Sequence, residues 1–164
     1  MRRLLVLAVA LTGIAAAQTK VGVINSQRAL VETAEIKKAQ KDLEEKFRPR
    51  QQELEKLQKD LQAIQTQLQN PNTAPSASAD LQAQGQRKQR ELTRVEQDLR
   101  DDVDRERNDV LQKAGAQMSA VVKKLAEERG LDVVIDASNT LYFKEPLELT
   151  KEATTAYDQI YPVK

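Results

Sequence analysis

The chain of 164 residues carries 26 basic and 25 acidic side chains, with no histidine and no cysteine. Zinc centres of the usual ligand set, catalysis by histidine or cysteine, and disulfides are thereby excluded, and the charge balance demands no polyanionic partner. Charged residues make up 31% and aromatic residues 3%, which suits long exposed helices better than a filled globular core.

Arg2 and Arg3 precede an apolar stretch over residues 4–14, and Ala15, Ala16 and Ala17 follow. This is the pattern of a secretory signal peptide, and about eleven apolar residues fall short of the roughly 20 that span a bilayer. Residues 1–17 are expected to be removed, with cleavage between Ala17 and Gln18. No cysteine follows that site to carry a lipid, so the exported chain is expected to make no stable membrane insertion. Without Arg2 and Arg3 it holds 24 basic against 25 acidic residues.

Residues 20–25 (KVGVIN) read as a short β-branched strand. From Ala34 to Leu68 the apolar residues fall at helical spacing, through Ile36, Leu43 and Phe47 to Leu54, Leu57, Leu61, Ile64 and Leu68. The last five alternate steps of three and four, the seam of a helix that packs along one narrow stripe. Pro49 interrupts the pattern and predicts a kink or division, because it lacks an N–H and clashes with the preceding turn; it is the candidate flex point. Residues 70–79, which contain Pro71 and Pro75, predict a loop.

Helical periodicity resumes at Asp80 and strengthens through Leu92, Val95, Leu99 and Val103 to Met118 and Leu125, with Gly130 as the stop. Two helices joined by so short a loop must run antiparallel for their seams to bury each other. Charges along them balance, with nine basic and eight acidic residues from Arg28 to Asp60 and eleven of each from Asp80 to Arg129. A second strand is predicted over residues 131–137 (LDVVIDA), a third over residues 140–143, and a last helix over residues 149–161 with Thr150 as N-cap.

The hairpin returns the chain to its start, so both ends can build one sheet at its base. The expected fold is α+β: a coiled-coil helical hairpin arm (residues 27–129) on a small sheet body (residues 18–26 and 130–164). Three short strands with open edges are marginal alone and invite further strands. Oligomerisation is expected to complete the sheet, with Val21, Val23, Leu131, Val133 and Ile135 as its shared core.

The chemistry of catalysis is thin. There is no Gly-rich phosphate loop among five glycines, and no cofactor or metal is expected. Asp101, Asp102 and Asp104 lie between Arg100 and Arg105 and read as a solvated face. Asp132 and Asp136 bracket a strand, where hydrogen bonding at strand ends accounts for them better than acid–base work. Arg87, Lys88 and Arg90 form a small basic patch without interleaved aromatics, so no nucleic-acid partner is expected.

The exported N-terminus, the opening segment VGVINS, the Gln- and Lys-rich hairpin and the segment LDVVIDASNTLYF together resemble the Skp/OmpH family of periplasmic chaperones. The resemblance covers essentially the whole mature chain. It implies a homotrimer in which strands of three chains close a β-body and three arms surround a cavity. It implies ATP-independent holding of unfolded outer-membrane β-barrel proteins in the periplasm, and no enzymatic activity. Well-known members are strongly basic, whereas this chain is near neutral, so no lipid-binding residues carry over. A structural or adaptor coiled coil of the cell envelope is the competing reading; a pure spacer needs no oligomerising sheet at its base.

Overall fold

The computed structural model describes residues 19–163; the expected signal peptide and its cleavage at Ala17 and Gln18 lie outside them. In chain order the elements are β1 (Val21–Ile24), α1 (Ser26–Val31), α2 (Ala34–Leu68), α3 (Pro75–Arg129), β2 (Val133–Asp136) and α4 (Thr150–Ile160). Two single 3₁₀ turns, Ala137–Asn139 and Glu145–Leu147, lie between β2 and α4.

Asn25 ends β1 and starts α1 at once, because its side chain accepts a hydrogen bond from the Arg28 amide. Thr33 then restarts the chain as α2. Its hydroxyl accepts from the Ile36 amide at 3.3 Å and donates to the Leu30 carbonyl at 2.8 Å, and the residue is fully buried. The sequence reading placed α2 correctly but did not separate α1 from it. The separation turns a short helix across the base before the arm departs.

Helix α2 runs unbroken through Pro49, so the predicted division does not occur. Helix α3 begins at Pro75, five residues earlier than predicted; that proline opens the helix. Its fixed φ suits the first helical turn and its missing N–H would have had no partner there. The connection is correspondingly tighter, held by the Thr73 hydroxyl donating to the Gln67 carbonyl at 2.7 Å. At the far end Gly130 adopts φ +60°, and the amides of Gly130 and Leu131 close the helix onto Glu127 and Ala126. At about 1.5 Å per residue, the 35 residues of α2 reach roughly 50 Å.

Along the arm the expected seam closes. Leu57, Ile64, Val95 and Leu99 are buried, and Leu54, Leu61, Leu92 and Val103 are half-buried. Lower down, α3 passes beyond the start of α2 and forms the base core. Ala114, Met118, Val121 and Leu125 pack with Ile24, Ala29, Ile36, Leu149, Ala153 and Tyr157.

Strands β1 and β2 run parallel, with Val21 opposite Val133 and Val23 opposite Ile135. A parallel pair needs a long crossover, and here the whole hairpin is that crossover. Among the described residues the sheet has two strands. The predicted third strand over residues 140–143 does not form: the segment finds no pairing partner among the described residues. Glu148 makes a single bridge to Val23 instead.

Helix α4 spans nearly the predicted range, but Thr150 is its first residue and not its cap. The Thr150 hydroxyl accepts from the Asn25 amide at 2.9 Å, tying the last helix to the end of β1. Thr33→Val keeps shape while removing the hydroxyl, so Ile36 loses its cap. The expected loss is about 0.5–2 kcal/mol, read as a lowered midpoint in urea with the slope unchanged.

Candidate functional site

The register puts alternate residues of both strands on opposite sides of the sheet. Gly22, Ile24, Val134 and Asp136 face the helices; Val21, Val23, Val133 and Ile135 share the outer side. Gly22 is required where it is. An added Cβ would lie 2.6 Å from Leu149 Cδ1 and 2.9 Å from Leu131 Cδ1, and Leu149 is itself buried.

Four of the five residues assigned to a shared core therefore do lie on one face. Leu131 does not: it packs against the intrachain core, beneath Gly22. It follows the Gly130 turn and precedes β2, so strand alternation does not govern its direction. On the outer face Val23 is buried, but Val133 is 41% and Ile135 37% exposed. Beyond β2 two further apolar side chains project into solvent, Leu141 fully and Tyr142 at 78%. The outer edge of β2 has no neighbouring strand among the described residues.

Carboxylates stitch the two ends of the chain together. Asp132 Oδ2 accepts from the Lys20 amide at 2.7 Å, across 112 positions of sequence. Asp136 Oδ2 accepts from the Ser26 amide at 3.1 Å, while its Oδ1 accepts from the Ser138 amide at 2.8 Å. Hydrogen bonds from Ser138, and then from Ser26, hold the Asp136 carboxyl far below the usual carboxylate range. Both aspartates thus serve as acceptors for backbone N–H groups, and Asp136, held ionised in this way, is no proton donor.

At the root of the arm the Tyr157 hydroxyl donates to Glu35, which also accepts from Lys113 at 2.9 Å. Partial burial opposes ionisation of Glu35, but the bonds from Tyr157 and Lys113 outweigh it and its pKa is lowered. Burial, reinforced by Glu35, pushes the Tyr157 phenol well above its ordinary value. Glu35 thereby fastens α4 to the start of α2 and, through Lys113, to α3.

Farther out, ion pairs cross between the arm helices. Arg50 bonds Asp102 at 2.6 Å, Lys88 bonds Asp60 at 2.7 Å, and Lys46 pairs with Glu106. Asp102 is thus not part of a merely solvated face, as its acidic neighbours suggested. Spacing of three and four from Leu99 places it in the seam, which was the available signal. Lys88 is likewise engaged within the arm, which reduces the small basic patch predicted around it.

Between α1, α3 and the helix-facing side of the sheet lies an apolar trough of about 610 Å³. Leu30, Val31, Leu111, Met118, Val122 and Val134 line it, with Arg107, Ser119 and Asp136 as polar points. The sequence reading assigned these apolar residues to no site. They lie on separate elements, and only the tertiary arrangement brings them together.

The described elements thus define an extended helical hairpin on a two-stranded parallel sheet, with apolar side chains exposed at its base. Comparison with known proteins gives the family. The OmpH-like outer membrane protein family matches residues 20–157, and the chain belongs to it. The chaperone protein Skp of Yersinia enterocolitica is 31% identical over 139 residues, covering 81% of this chain and 82% of that protein. Skp of Pectobacterium atrosepticum is 29% identical over 142 residues, with 83% and 84% covered. A solved OmpH-like structure from Caulobacter crescentus shares the fold, with a TM-score of 0.60 at 17% identity over 90% of this chain and 89% of that one.

The sign of the acid dependence follows from Asp136. Its pKa is depressed in the folded chain, so its contribution is complete above the unfolded value of about 4 and disappears as pH falls below it. Urea midpoints should hold steady from neutral pH down to about pH 5 and drop on further acidification. Asp136→Asn should be less stable at neutral pH and show a shallower acid decline.

Proposed function

We propose that this chain is an ATP-independent holding chaperone that keeps unfolded outer-membrane β-barrel proteins from aggregating in the periplasm. The observation that carries the reading is the sheet at the base. Among the described residues it has an unpaired β2 edge and an exposed Val133/Ile135 face, and it sits at the base of the long helical arm. Family membership supports it, as do the names of the curated relatives.

In this reading three copies bring their sheets together through Val21, Val133 and Ile135, Val23 being already covered within its own chain, and three arms enclose a guest. A barrel precursor alternates apolar and polar residues and aggregates unless shielded from other chains. Arms whose apolar seam is buried or half-buried between their helices show such a chain a largely polar, charge-balanced surface and meet it through many weak contacts. The guest then leaves without nucleotide hydrolysis. Among the described residues no helix is long and apolar enough to cross a membrane, which accords with an arm that works in water.

The assembly step has a clean test because Val133 is exposed in the single chain. Val133→Asp should leave the monomer fold and its helicity intact, yet place an unpaired charge in the joined sheets at a cost of several kcal/mol. Sedimentation should find trimers for the natural protein and monomers for the variant. A natural protein that sediments as a monomer would rule out the assembly.

The holding step is tested by diluting a urea-denatured barrel protein into stoichiometric amounts of the purified chain and following light scattering. Suppressed scattering is expected without ATP, and reduced protection with Val133→Asp. Undiminished scattering would favour the adaptor reading, in which the arm spaces envelope components.

A further inference from the structure

We propose that the apolar trough at the arm root is completed by a second copy of this chain, whose Tyr142 enters it. The inference rests on the self-association reading above and adds the residue that fills the site.

Three observations converge. Val134 and Asp136 line the trough, and these lie on β2, whose outer edge has no strand beside it among the described residues. Immediately downstream, residues 140–143 (TLYF) have strand-like composition and no pairing partner in their own chain. Within that segment Leu141 is wholly exposed and Tyr142 is 78% exposed, an arrangement that wastes apolar surface in a lone chain.

Strand geometry fixes how the two surfaces meet. A segment added along the free β2 edge directs successive side chains to opposite sides of the sheet. Leu141 and Phe143 then fall on one side and Tyr142 on the other. The outer side offers Val133 and Ile135, both exposed and purely apolar, which suits Leu141 and Phe143. The helix-facing side offers the trough, whose apolar walls carry Arg107, Ser119 and Asp136. A tyrosine, apolar along its ring and polar at its tip, fits that composition. One added segment thus covers both unsatisfied surfaces of β2 in a single register. A client chain has no fixed residue to meet Arg107 and Ser119, whereas a second copy always presents Tyr142.

The chain has no cysteine, so a single introduced thiol reports on the trough alone. Ser119→Cys places it in the wall, where maleimide labelling measures access. At concentrations that support assembly, labelling should be several-fold slower than after dilution to monomer. Adding Tyr142→Ser should restore the fast rate, and since Tyr142 is exposed, that change leaves the packing of the single chain undisturbed. Mixing Ser119→Cys chains with Tyr142→Cys chains under oxidation should yield a covalent pair.

If sedimentation shows the oligomer while Cys labelling is equally fast with and without Tyr142, the trough proposal fails and the assembly reading stands. If no oligomer forms at any concentration, both fall. Slow labelling that appears only when a denatured barrel protein is added would assign the trough to clients and overturn the proposal.

Discussion

The antiparallel register of α2 against α3 is the constraint on which the rest of this molecule depends. Only when Leu57, Ile64, Val95 and Leu99 close on one another do residues 20–26 and 131–136 arrive side by side. Parallel pairing of two four-residue strands across so long a stretch would otherwise set a large loop-closure cost against few hydrogen bonds. The zipped hairpin offsets that cost, since its own packing brings the two strand segments together. The carboxylates of Asp132 and Asp136 then fix the last step, each by accepting an amide from the other end of the chain.

Register in turn is set by charges as much as by apolar packing. Arg50 and Asp102 occupy seam positions between apolar neighbours, where two aliphatic residues would pack more tightly. A half-exposed ion pair contributes little stability. Its worth lies in what it forbids: sliding one helix by a heptad would set Asp102 near Leu43 or Leu57, leaving a charge partnered by hydrocarbon. Lys88 with Asp60 and Lys46 with Glu106 repeat the restriction along the arm. An arm with an apolar seam alone has several near-equivalent alignments, and only one brings β1 to β2.

Much of this was legible in the sequence, and the boundary of legibility is physical. Periodicity specified α2 from Ala34 to Leu68, and Gly130 specified the end of α3, because both signals are local. The start of α3 was misplaced since Pro75 reads equally as a breaker and as a first-turn residue, and only the incoming chain direction decides. Thr33 was overlooked as a cap because the residues around it continue a helical pattern. The third strand over residues 140–143 has the composition of a strand, yet strand formation requires a neighbour, and the single chain provides none. The Tyr157–Glu35–Lys113 group and the trough draw on elements far apart in sequence, so no window of residues could reveal them. The four sheet residues were recoverable by alternation alone; Leu131 sits outside the strand and escaped that rule.

What the base lacks is as informative as what it contains. Helix α4 covers one flank of the core through Ala153 and Tyr157, and Glu148 touches the outer edge of β1 through Val23. The β2 edge receives neither. Edges are ordinarily blunted by charge, proline or a covering loop, and β2 instead displays Val133 and Ile135, with Leu141 and Tyr142 just beyond. Aspartates at positions 132 and 136 do not guard the strand, because their carboxylates are turned to the backbone of the chain's other end. Those two residues therefore do two things at once: they complete the fold of one chain, and by being so occupied they leave the β2 edge uncovered among the described residues.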